Sequence, residues 1–223
     1  RQGKANLGGT CLNVGCIPAK ELLETASVLR TVRHAGEFGV QIGDPRLDLT
    51  KTMERKQAVI DQLISGVEGL LKNRKVTVYN GTGSLQSKSE VNVASVDGSK
   101  ILLSAQNIIL ASGSKPRTIP GFEIDGNQIM TSDELLSITE VPKSVAIIGG
   151  GAIGAEFAST LNDFGADVTL IEALPQILAT CDRDLSKTVT RSFKKRGINV
   201  LAGTKVLGHS KSCLLYTSDA ADD

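Results

Sequence analysis

The sequence has few cysteines and histidines, no long apolar run and almost no net charge. Four cysteines in 223 residues are too few for a small secreted scaffold held together by disulfides. Twenty-five basic and 24 acidic residues leave a net charge of +1, which argues against a nucleic-acid-binding surface. No segment approaches the ~18 apolar residues of a membrane span, and the amino terminus does not have the pattern of a signal peptide. By elimination we expect a cytoplasmic protein without nucleic-acid or membrane partners.

The most informative segment is Gly8–Lys20, GGTCLNVGCIPAK. Cys11 and Cys16 are close enough in sequence to form a disulfide across one tight bend. Because a disulfide that closes so short a loop contributes little stability, we interpret the pair as a bond that opens and closes, which is a redox centre. The alternative, a structural zinc site, needs a second close pair or nearby histidines, and His34 and His209 do not have that spacing. We therefore expect no metal.

A helix is predicted to follow the cysteines, because apolar residues recur at helical spacing from Ala19 to Val32. Pro18 suits its first turn, where the missing N–H costs nothing. Cys16 would then lie at the helix entrance, where the positive end of the dipole favours a thiolate. Lys20 would share the face of Cys16 and stabilise negative charge on a sulfur or on a bound redox ring. A solvated surface lysine is the alternative, which the neighbouring cysteines disfavour.

Three further elements are predicted before residue 121. A helix is expected over about 50–72, with a buried stripe formed by Met53, Val59, Leu63, Val67, Leu70 and Leu71. An antiparallel meander is expected from three short alternating stretches, Val76–Tyr79, Val91–Val96 and Lys100–Leu103. The run Asn107–Ala111 predicts a buried strand, and the glycines and prolines after it indicate a crossover.

A dinucleotide-binding pattern begins at the predicted strand Val145–Ile148. Gly149, Gly151 and Gly154 form a G-x-G-x-x-G fingerprint, followed by a helical pattern and a second strand that ends at Glu172. This strand–turn–helix–strand context confers the specificity that a lone glycine motif lacks. Gly149 would permit the tight turn, Gly151 the approach of a pyrophosphate, and Gly154 close packing of helix on strand. The first N–H groups of the helix would bind the phosphates.

Glu172 indicates which nucleotide is bound. A carboxylate at the end of the second strand would accept hydrogen bonds from the adenosine ribose and repel a 2′-phosphate. The residues after it, Ala173 to Pro175, include no arginine that could receive such a phosphate. The pattern predicts NAD rather than NADP, with a purely structural glutamate as the alternative. A helix over 184–196 and a strand over 198–201 continue the pattern.

Three segments together resemble the pyridine nucleotide–disulfide oxidoreductases: GGTCLNVGCIPAK, LASGSKPRTIPG and GGGAIGAE. The resemblance covers residues 1 to about 211 and is closest to members that oxidise dihydrolipoamide. It implies an α/β fold: a partial Rossmann-like FAD-binding domain with a small β-meander over 1–115, a crossover linker over 116–142, and the first half of a Rossmann NAD-binding domain over 143–211. It implies FAD and NAD as cofactors. The implied partners are a second identical subunit and the lipoyl domain of a 2-oxo acid dehydrogenase complex.

The resemblance also implies residue roles. Cys11 would be the interchange thiol that exchanges with dihydrolipoamide, and Cys16 the flavin-proximal thiol. Lys20 would lie near the flavin N5 and pair with Glu156. The residues along the FAD would be Gly8, Gly9, Thr10 and Gly113.

Several family features are absent from this sequence. It has no glycine-rich FAD fingerprint before the cysteines, no later Gly-Asp motif, and no C-terminal domain with the family's His–Glu acid/base pair. We therefore expect an internal part of a longer protein and assign no catalytic base. Residues 212–223 fit neither strand nor helix and are expected to be non-native, including Cys213. Cys181 is predicted to be an ordinary small apolar residue.

Two alternatives stay open. A mercuric or glutathione-type reductase would share the C-x4-C helix, although glutathione-type enzymes would be expected to use NADP, which Glu172 disfavours. Mercuric reductases would differ in cysteines beyond this sequence. The second alternative is a noncatalytic nucleotide-binding module, because half of the FAD cradle is absent.

Overall fold

The computed structural model describes residues 7–95 and 97–210, and the backbone of residues 213–218. The helices are α1 (Gly9–Val14), α2 (Cys16–Arg33), α3 (Leu49–Asn73), α4 (Ser132–Leu135), α5 (Ala152–Phe164) and α6 (Arg183–Lys195), with a 3-10 turn at Ala35–Phe38. The strands are β1 (Thr82–Leu85), β2 (Glu90–Ala94), β3 (Lys100–Ser104), β4 (Ser144–Ile148), β5 (Asp167–Glu172), β6 (Asn199–Ala202), β7 (Thr204–Ser210) and β8 (Cys213–Ser218). Among these described helices, none combines the length and apolarity needed to cross a membrane.

A parallel sheet in the order β4-β5-β6 forms the carboxyl half of the fold. Helices α5 and α6 connect its strands, which gives the predicted βαβαβ pattern. Helix α5 ends at Gly165, whose φ of +106° is the left-handed conformation that favours glycine. The core between helices and sheet includes Leu161, Leu170 and Ile198, each almost fully buried. The α/β fold class predicted from the sequence is confirmed.

Helix α2 packs against α5 and so joins the cysteine segment to the parallel sheet. Leu22 of α2 lies in one buried cluster with Phe157 of α5. Ala26 and Leu29 lie in a second cluster with Phe164. The helical face predicted for this segment is therefore confirmed, and it is the face that contacts α5.

The predicted buried stripe of α3 is wrong. The buried residues of this helix are Thr52, Lys56 and Ile60, all in its amino-terminal half. In its carboxyl half, Leu63 is 39% exposed and Leu70 is 64% exposed. Helix α3 contacts α2, and α3 has 25 residues whereas α2 has 18. The apolar pattern of α3 therefore continues past the part of the helix that is buried.

Two of the predicted strands are also wrong. The meander is antiparallel as predicted, but its first strand is Thr82–Leu85 rather than Val76–Tyr79. The N–H of Val76 still bonds to the carbonyl oxygen of Leu71, so this stretch completes the end of α3. The run Asn107–Ala111 is not a strand and Ile109 is 90% exposed, because no described strand lies beside it to supply hydrogen bonds.

The prediction that residues 212–223 fit neither strand nor helix is wrong for Cys213–Ser218. These residues form β8, which pairs antiparallel with β7 because the backbone of β7 offers a complementary edge. Residues 212 and 219–223 lie outside the described residues.

Candidate functional site

A sharp bend between α1 and α2 brings Cys11 and Cys16 together. The bend is at Gly15, where a Cβ atom would lie 2.8 Å from the carbonyl oxygen of Thr10 and 3.0 Å from the Cα of Cys11. Only glycine allows the two helices to approach so closely at this point. Both cysteines are exposed free thiols, and Cys11 is the main influence on the pKa of Cys16, so the two thiols lie close together. The structure therefore brings the predicted pair together across this bend.

The pKa of the Cys16 thiol is raised above its ordinary value. The hydrogen bond with Cys11 is the largest cause, followed by the Coulombic effect of Cys11. A backbone hydrogen bond and the positive charge of Lys20 lower the pKa, but by less. The helix entrance favours a thiolate, and the backbone hydrogen bond and Lys20 do lower the pKa of Cys16, but the partner thiol raises it by more.

Lys20 pairs with Glu156 of α5, as the resemblance implies. The Nζ atom of Lys20 donates to Oε1 of Glu156, although 136 positions separate the two residues in the sequence. Glu156 lies two residues after Gly154. The ion pair therefore joins α2, which begins at Cys16, to α5, the helix of the glycine fingerprint.

The predicted FAD-contacting residues are partly brought together. Gly8 and Gly9 have φ values of +103° and +61°, two successive left-handed residues before Thr10. Gly113 is also left-handed, at +82°, and a Cβ atom there would lie 3.9 Å from Oγ1 of Thr10. Gly113 therefore lies beside the amino-terminal end of the cysteine segment despite its distance in sequence.

Each of the three fingerprint positions is occupied by glycine for a different structural reason. Gly149 has a φ of +109°, which the turn after β4 requires. A Cβ atom on Gly154 would lie 1.9 Å from the carbonyl oxygen of Gly149, so no side chain fits there. Around Gly151, apart from its two chain neighbours, no described atom lies within 4 Å of the Cβ position. The backbone at Gly151 is therefore open to a ligand.

The intervening glycine, Gly150, was missed by sequence reasoning. A Cβ atom there would lie 2.7 Å from Cγ2 of Ile177 and 3.0 Å from Cβ of Glu172. Its N–H donates to Oε2 of Glu172 at 2.7 Å, and its carbonyl oxygen accepts from the N–H of Leu178 at 2.7 Å. The motif treats this position as variable, so no local signal could have revealed the constraint.

Glu172 is half-buried and accepts hydrogen bonds from two backbone N–H groups. Besides Gly150, it accepts the N–H of Leu174 at 2.8 Å through Oε1. Its carboxylate is therefore fixed beside the glycine loop. Each carboxylate oxygen has a second lone pair, so these bonds leave acceptor capacity for a ribose hydroxyl.

The residues present fit the two implied cofactors. At the start of α5 no described side chain caps the backbone amides, and these N–H groups are free for an anionic pyrophosphate. Cys11, Cys16 and Lys20 are all exposed, so a flavin has access to them. Across the described ranges no cluster of His, Cys, Asp or Glu has an arrangement that could hold a metal ion.

A second ionic cluster, which sequence reasoning also missed, lies at the other end of the α2–α5 contact. Asp163 is 5% exposed, and its carboxylate contacts Arg30 of α2 at 2.6 Å and Arg196 at 2.9 Å. Arg33 donates to the backbone carbonyl of Asp163. The residues of this cluster lie far apart in sequence. Arg196 follows the basic end of α6, and from the sequence alone it cannot be distinguished from a solvated cation.

Comparison with known proteins gives the family that the three sequence segments resemble. The sequence profile of the family described as pyridine nucleotide-disulphide oxidoreductase matches residues 4–215. The dihydrolipoyl dehydrogenase of Bacillus subtilis is 45% identical over 212 residues, which are 92% of this chain and 45% of that protein. That of Chlamydia pneumoniae is 43% identical, over 89% of this chain and 42% of that protein.

Two solved structures have the same fold. LpdA from Mycobacterium tuberculosis superposes with a TM-score of 0.86 at 22% identity, over 96% of this chain and 48% of that one. The HOCl-induced flavoprotein disulfide reductase RclA from Escherichia coli, in its Cu(II) complex, superposes with a TM-score of 0.75 at 25% identity, over 99% of this chain and 47% of that one. The chain spans less than half the length of the relatives it matches. Its profile match and its redox and glycine segments make it a member of the pyridine nucleotide-disulphide oxidoreductase family.

Proposed function

We propose that this chain is the redox-disulfide and NAD-binding part of a dihydrolipoyl dehydrogenase, which oxidises dihydrolipoamide to lipoamide with NAD+. One observation carries the proposal. Two exposed cysteines lie on either side of the bend between α1 and α2, and α2 is ion-paired, through Lys20 and Glu156, to the helix of a nucleotide-binding glycine loop. The relatives named dihydrolipoyl dehydrogenase support the choice of substrate.

The reaction begins from the disulfide form of the cysteine pair. A thiolate of dihydrolipoamide attacks Sγ of Cys11, the Cys11–Cys16 bond breaks, and Cys16 leaves as a thiolate. The second substrate thiol then attacks the substrate sulfur of this mixed disulfide and releases Cys11. Lipoamide departs with its own disulfide formed, so two electrons and the accompanying protons have passed from the substrate to this chain and its solvent.

The positions of the two cysteines favour this division of roles. Cys16 is the first residue of α2, and Lys20 lies one turn further along the same helix. The charge of Lys20 lowers the pKa of Cys16 and so opposes the effect of Cys11. Lys20 would therefore stabilise the thiolate that Cys16 becomes when the disulfide opens, while Glu156 holds the lysine in place.

A bound FAD would supply the two-electron chemistry that links the cysteine pair to NAD+. The residues proposed to lie along it are Gly8, Gly9, Thr10, Lys20 and Gly113. The residues proposed to bind NAD are Gly149, Gly151, Gly154 and Glu172. The fixed carboxylate of Glu172 would accept ribose hydroxyls and repel a 2′-phosphate.

The same proposal includes the rest of the biological setting. The domain limits are those given by the sequence, 1–115 and 143–211, with a linker over 116–142 and a non-native segment over 212–223. The whole protein would be a homodimer that serves the lipoyl domain of a 2-oxo acid dehydrogenase complex. Its compartment would be the cytoplasm, where an exposed thiol outside the redox pair, such as that of Cys181, stays reduced.

Thiol exchange on the chain tests the redox role. The chain is oxidised, treated with dihydrolipoamide, quenched with a maleimide and mapped by peptide mass spectrometry. We expect Cys11 and Cys16 to change together from disulfide to modified thiols, and a Cys181→Ser variant to behave identically. Failure of Cys11 and Cys16 to form a mutual disulfide would refute the proposal.

Single-cysteine variants test the division of roles. A glutathione-sized disulfide should modify Cys11 in a Cys16→Ser chain faster than it modifies Cys16 in a Cys11→Ser chain. The opposite order would reverse the two roles. A titration with NADH and NADPH tests the nucleotide, and NADH should bind at least about tenfold more tightly, which corresponds to about 1.4 kcal/mol. Equal affinity would contradict the role given to Glu172.

A further inference from the structure

Asn13 is a buried polar residue in the middle of the cysteine segment. It is 8% exposed and is the buried residue of α1, between the exposed Cys11 and Cys16. Asparagine is seldom buried without a hydrogen-bonding reason, because its amide loses water on burial. Its surroundings therefore show what it does.

The side-chain amide of Asn13 binds the backbone on both sides of Gly8. Its Nδ2 atom donates to the carbonyl oxygen of Leu7 at 3.1 Å and to that of Gly9 at 2.9 Å. Gly8 and Gly9 are the two successive left-handed residues at the start of α1. Glycine has the most backbone freedom to lose on folding, so this pair needs an external constraint, and both hydrogens of one amide group supply it.

The Oδ1 atom of Asn13 makes no compensating bond. It is buried and has no hydrogen-bond partner among the described residues. An unmade hydrogen bond to a buried acceptor costs free energy. If stability alone mattered at this position, an apolar residue of the same size would serve better. The presence of asparagine therefore indicates that the two N–H donors of its amide are required.

The bend at Gly15 restrains the other end of the same segment. Gly15 packs against Thr10 and Cys11 so closely that no side chain fits. With Asn13 bound to Leu7 and Gly9, α1 is held at its amino-terminal end as well. The position of Cys11 relative to Cys16 is then determined from both sides.

We propose that Asn13 is a positioning residue for the redox pair: its amide, bound to Leu7 and Gly9, holds α1 in the orientation that keeps the thiols of Cys11 and Cys16 in contact. The inference rests on the proposed redox function of these cysteines. Asn13 touches neither sulfur by a hydrogen bond and acts through the backbone of α1.

The equilibrium between the dithiol and the disulfide measures this positioning. The chain's two thiols react with one glutathione disulfide, which forms the Cys11–Cys16 bond and releases two molecules of glutathione. Two electrons and two hydrogens pass from the chain to glutathione. The equilibrium constant is the effective concentration of one thiol at the other, which depends on how well the dithiol is already aligned.

Asn13→Leu is the main variant, because leucine has similar volume and removes both donors together with the orphan acceptor. We expect the effective concentration to fall at least about tenfold, which is about 30 mV for a two-electron couple. Asn13→Ser is the second variant, since a helical serine can still donate to the carbonyl four residues earlier, here that of Gly9. Its effective concentration should lie between those of the parent and Asn13→Leu.

Asn162→Leu is the matched control. Asn162 also donates a side-chain amide to a backbone carbonyl, that of Arg196 at 3.4 Å, but on α5. This variant should keep the parent's effective concentration. Urea unfolding of each variant separates stability from alignment, because a merely structural role for Asn13 would leave the equilibrium constant of the folded chain unchanged whatever happens to the unfolding midpoint.

The outcomes separate the two proposals. If the parent forms no Cys11–Cys16 disulfide with glutathione, the proposed function fails. If the parent forms it and Asn13→Leu stays within twofold of the parent, the role of Asn13 is refuted. If Asn13→Leu does not fold, an Asn13→Ser chain indistinguishable from the parent refutes the role equally.

Discussion

Asp163 should be among the most costly polar residues of this chain to replace. Its carboxylate is buried, and it faces Arg30 at 2.6 Å and Arg196 at 2.9 Å. In an Asp163→Asn variant, two guanidinium groups face each other without the negative charge between them. The side chain of Arg196 is only 20% exposed, so water replaces the lost partner there only in part.

The size of the effect follows from these exposures. Breaking a fully buried ion pair costs roughly 3–5 kcal/mol. Because the side chain of Arg30 is 39% exposed and recovers part of its hydration, we expect a loss of about 3 kcal/mol for Asp163→Asn, at the lower end of that range. Urea unfolding followed by far-UV circular dichroism measures it, and the slope of the unfolding free energy against urea should stay unchanged.

An exposed ion pair provides the control. Asp184 and Lys187 lie 3.3 Å apart on α6 with both side chains largely exposed, so Asp184→Asn should cost less than about 1 kcal/mol. A double-mutant cycle adds a second check, since Arg30→Gln should cost less in the Asp163→Asn chain than in the parent. The reasoning is refuted if Asp163→Asn costs no more than Asp184→Asn.

Three shorter predictions concern the glycine loop and the thiols. Gly154→Ala should lower the urea midpoint strongly, because its Cβ would lie 1.9 Å from a carbonyl oxygen. Gly151→Ala should leave the urea midpoint nearly unchanged and weaken NADH binding. Equal midpoints for the two variants would contradict this prediction. Cys11→Ala should lower the pKa of Cys16, since Cys11 is the main cause of its rise. The pH profile for alkylation of Cys16 should then shift to lower pH. A shift to higher pH would contradict Cys11 as the cause of the raised pKa. Lys20→Met should raise the pKa of Cys16, because the lysine charge lowers it, and an unchanged alkylation profile would show that the charge is screened.

Elements with a local signal could be predicted from the sequence. Helix α5 begins directly after Gly151, buries Phe157 and Leu161, and ends at the left-handed Gly165. All of these features lie within one short stretch. The contact of Lys20 with Glu156, in contrast, spans 136 positions and was predictable only through the resemblance to a known family.

Elements that depend on a partner could not be predicted. The run Asn107–Ala111 has the apolar composition of a central strand, yet Ile109 and Leu110 are 90% and 74% exposed. A strand requires a neighbouring strand for its hydrogen bonds, and composition alone does not show whether one is present. The same holds for the carboxyl half of α3, where Leu70 is exposed because α3 is buried only over its amino-terminal half.

The residues that carry chemistry and the residues that hold them in place differ in how they can be recognised. Cys11, Cys16 and the fingerprint glycines stand in short motifs whose chemistry requires that spacing. Asn13 and Asp163 belong to residue types that usually face solvent, and only their burial distinguishes them. Apolar replacements of equal volume often match such buried polar groups in stability. Apolar contacts, however, allow neighbouring helices to slide, whereas hydrogen bonds have a preferred direction. We therefore interpret both residues as fixing orientation, Asn13 at the amino-terminal end of α1 and Asp163 where α2, α5 and Arg196 meet.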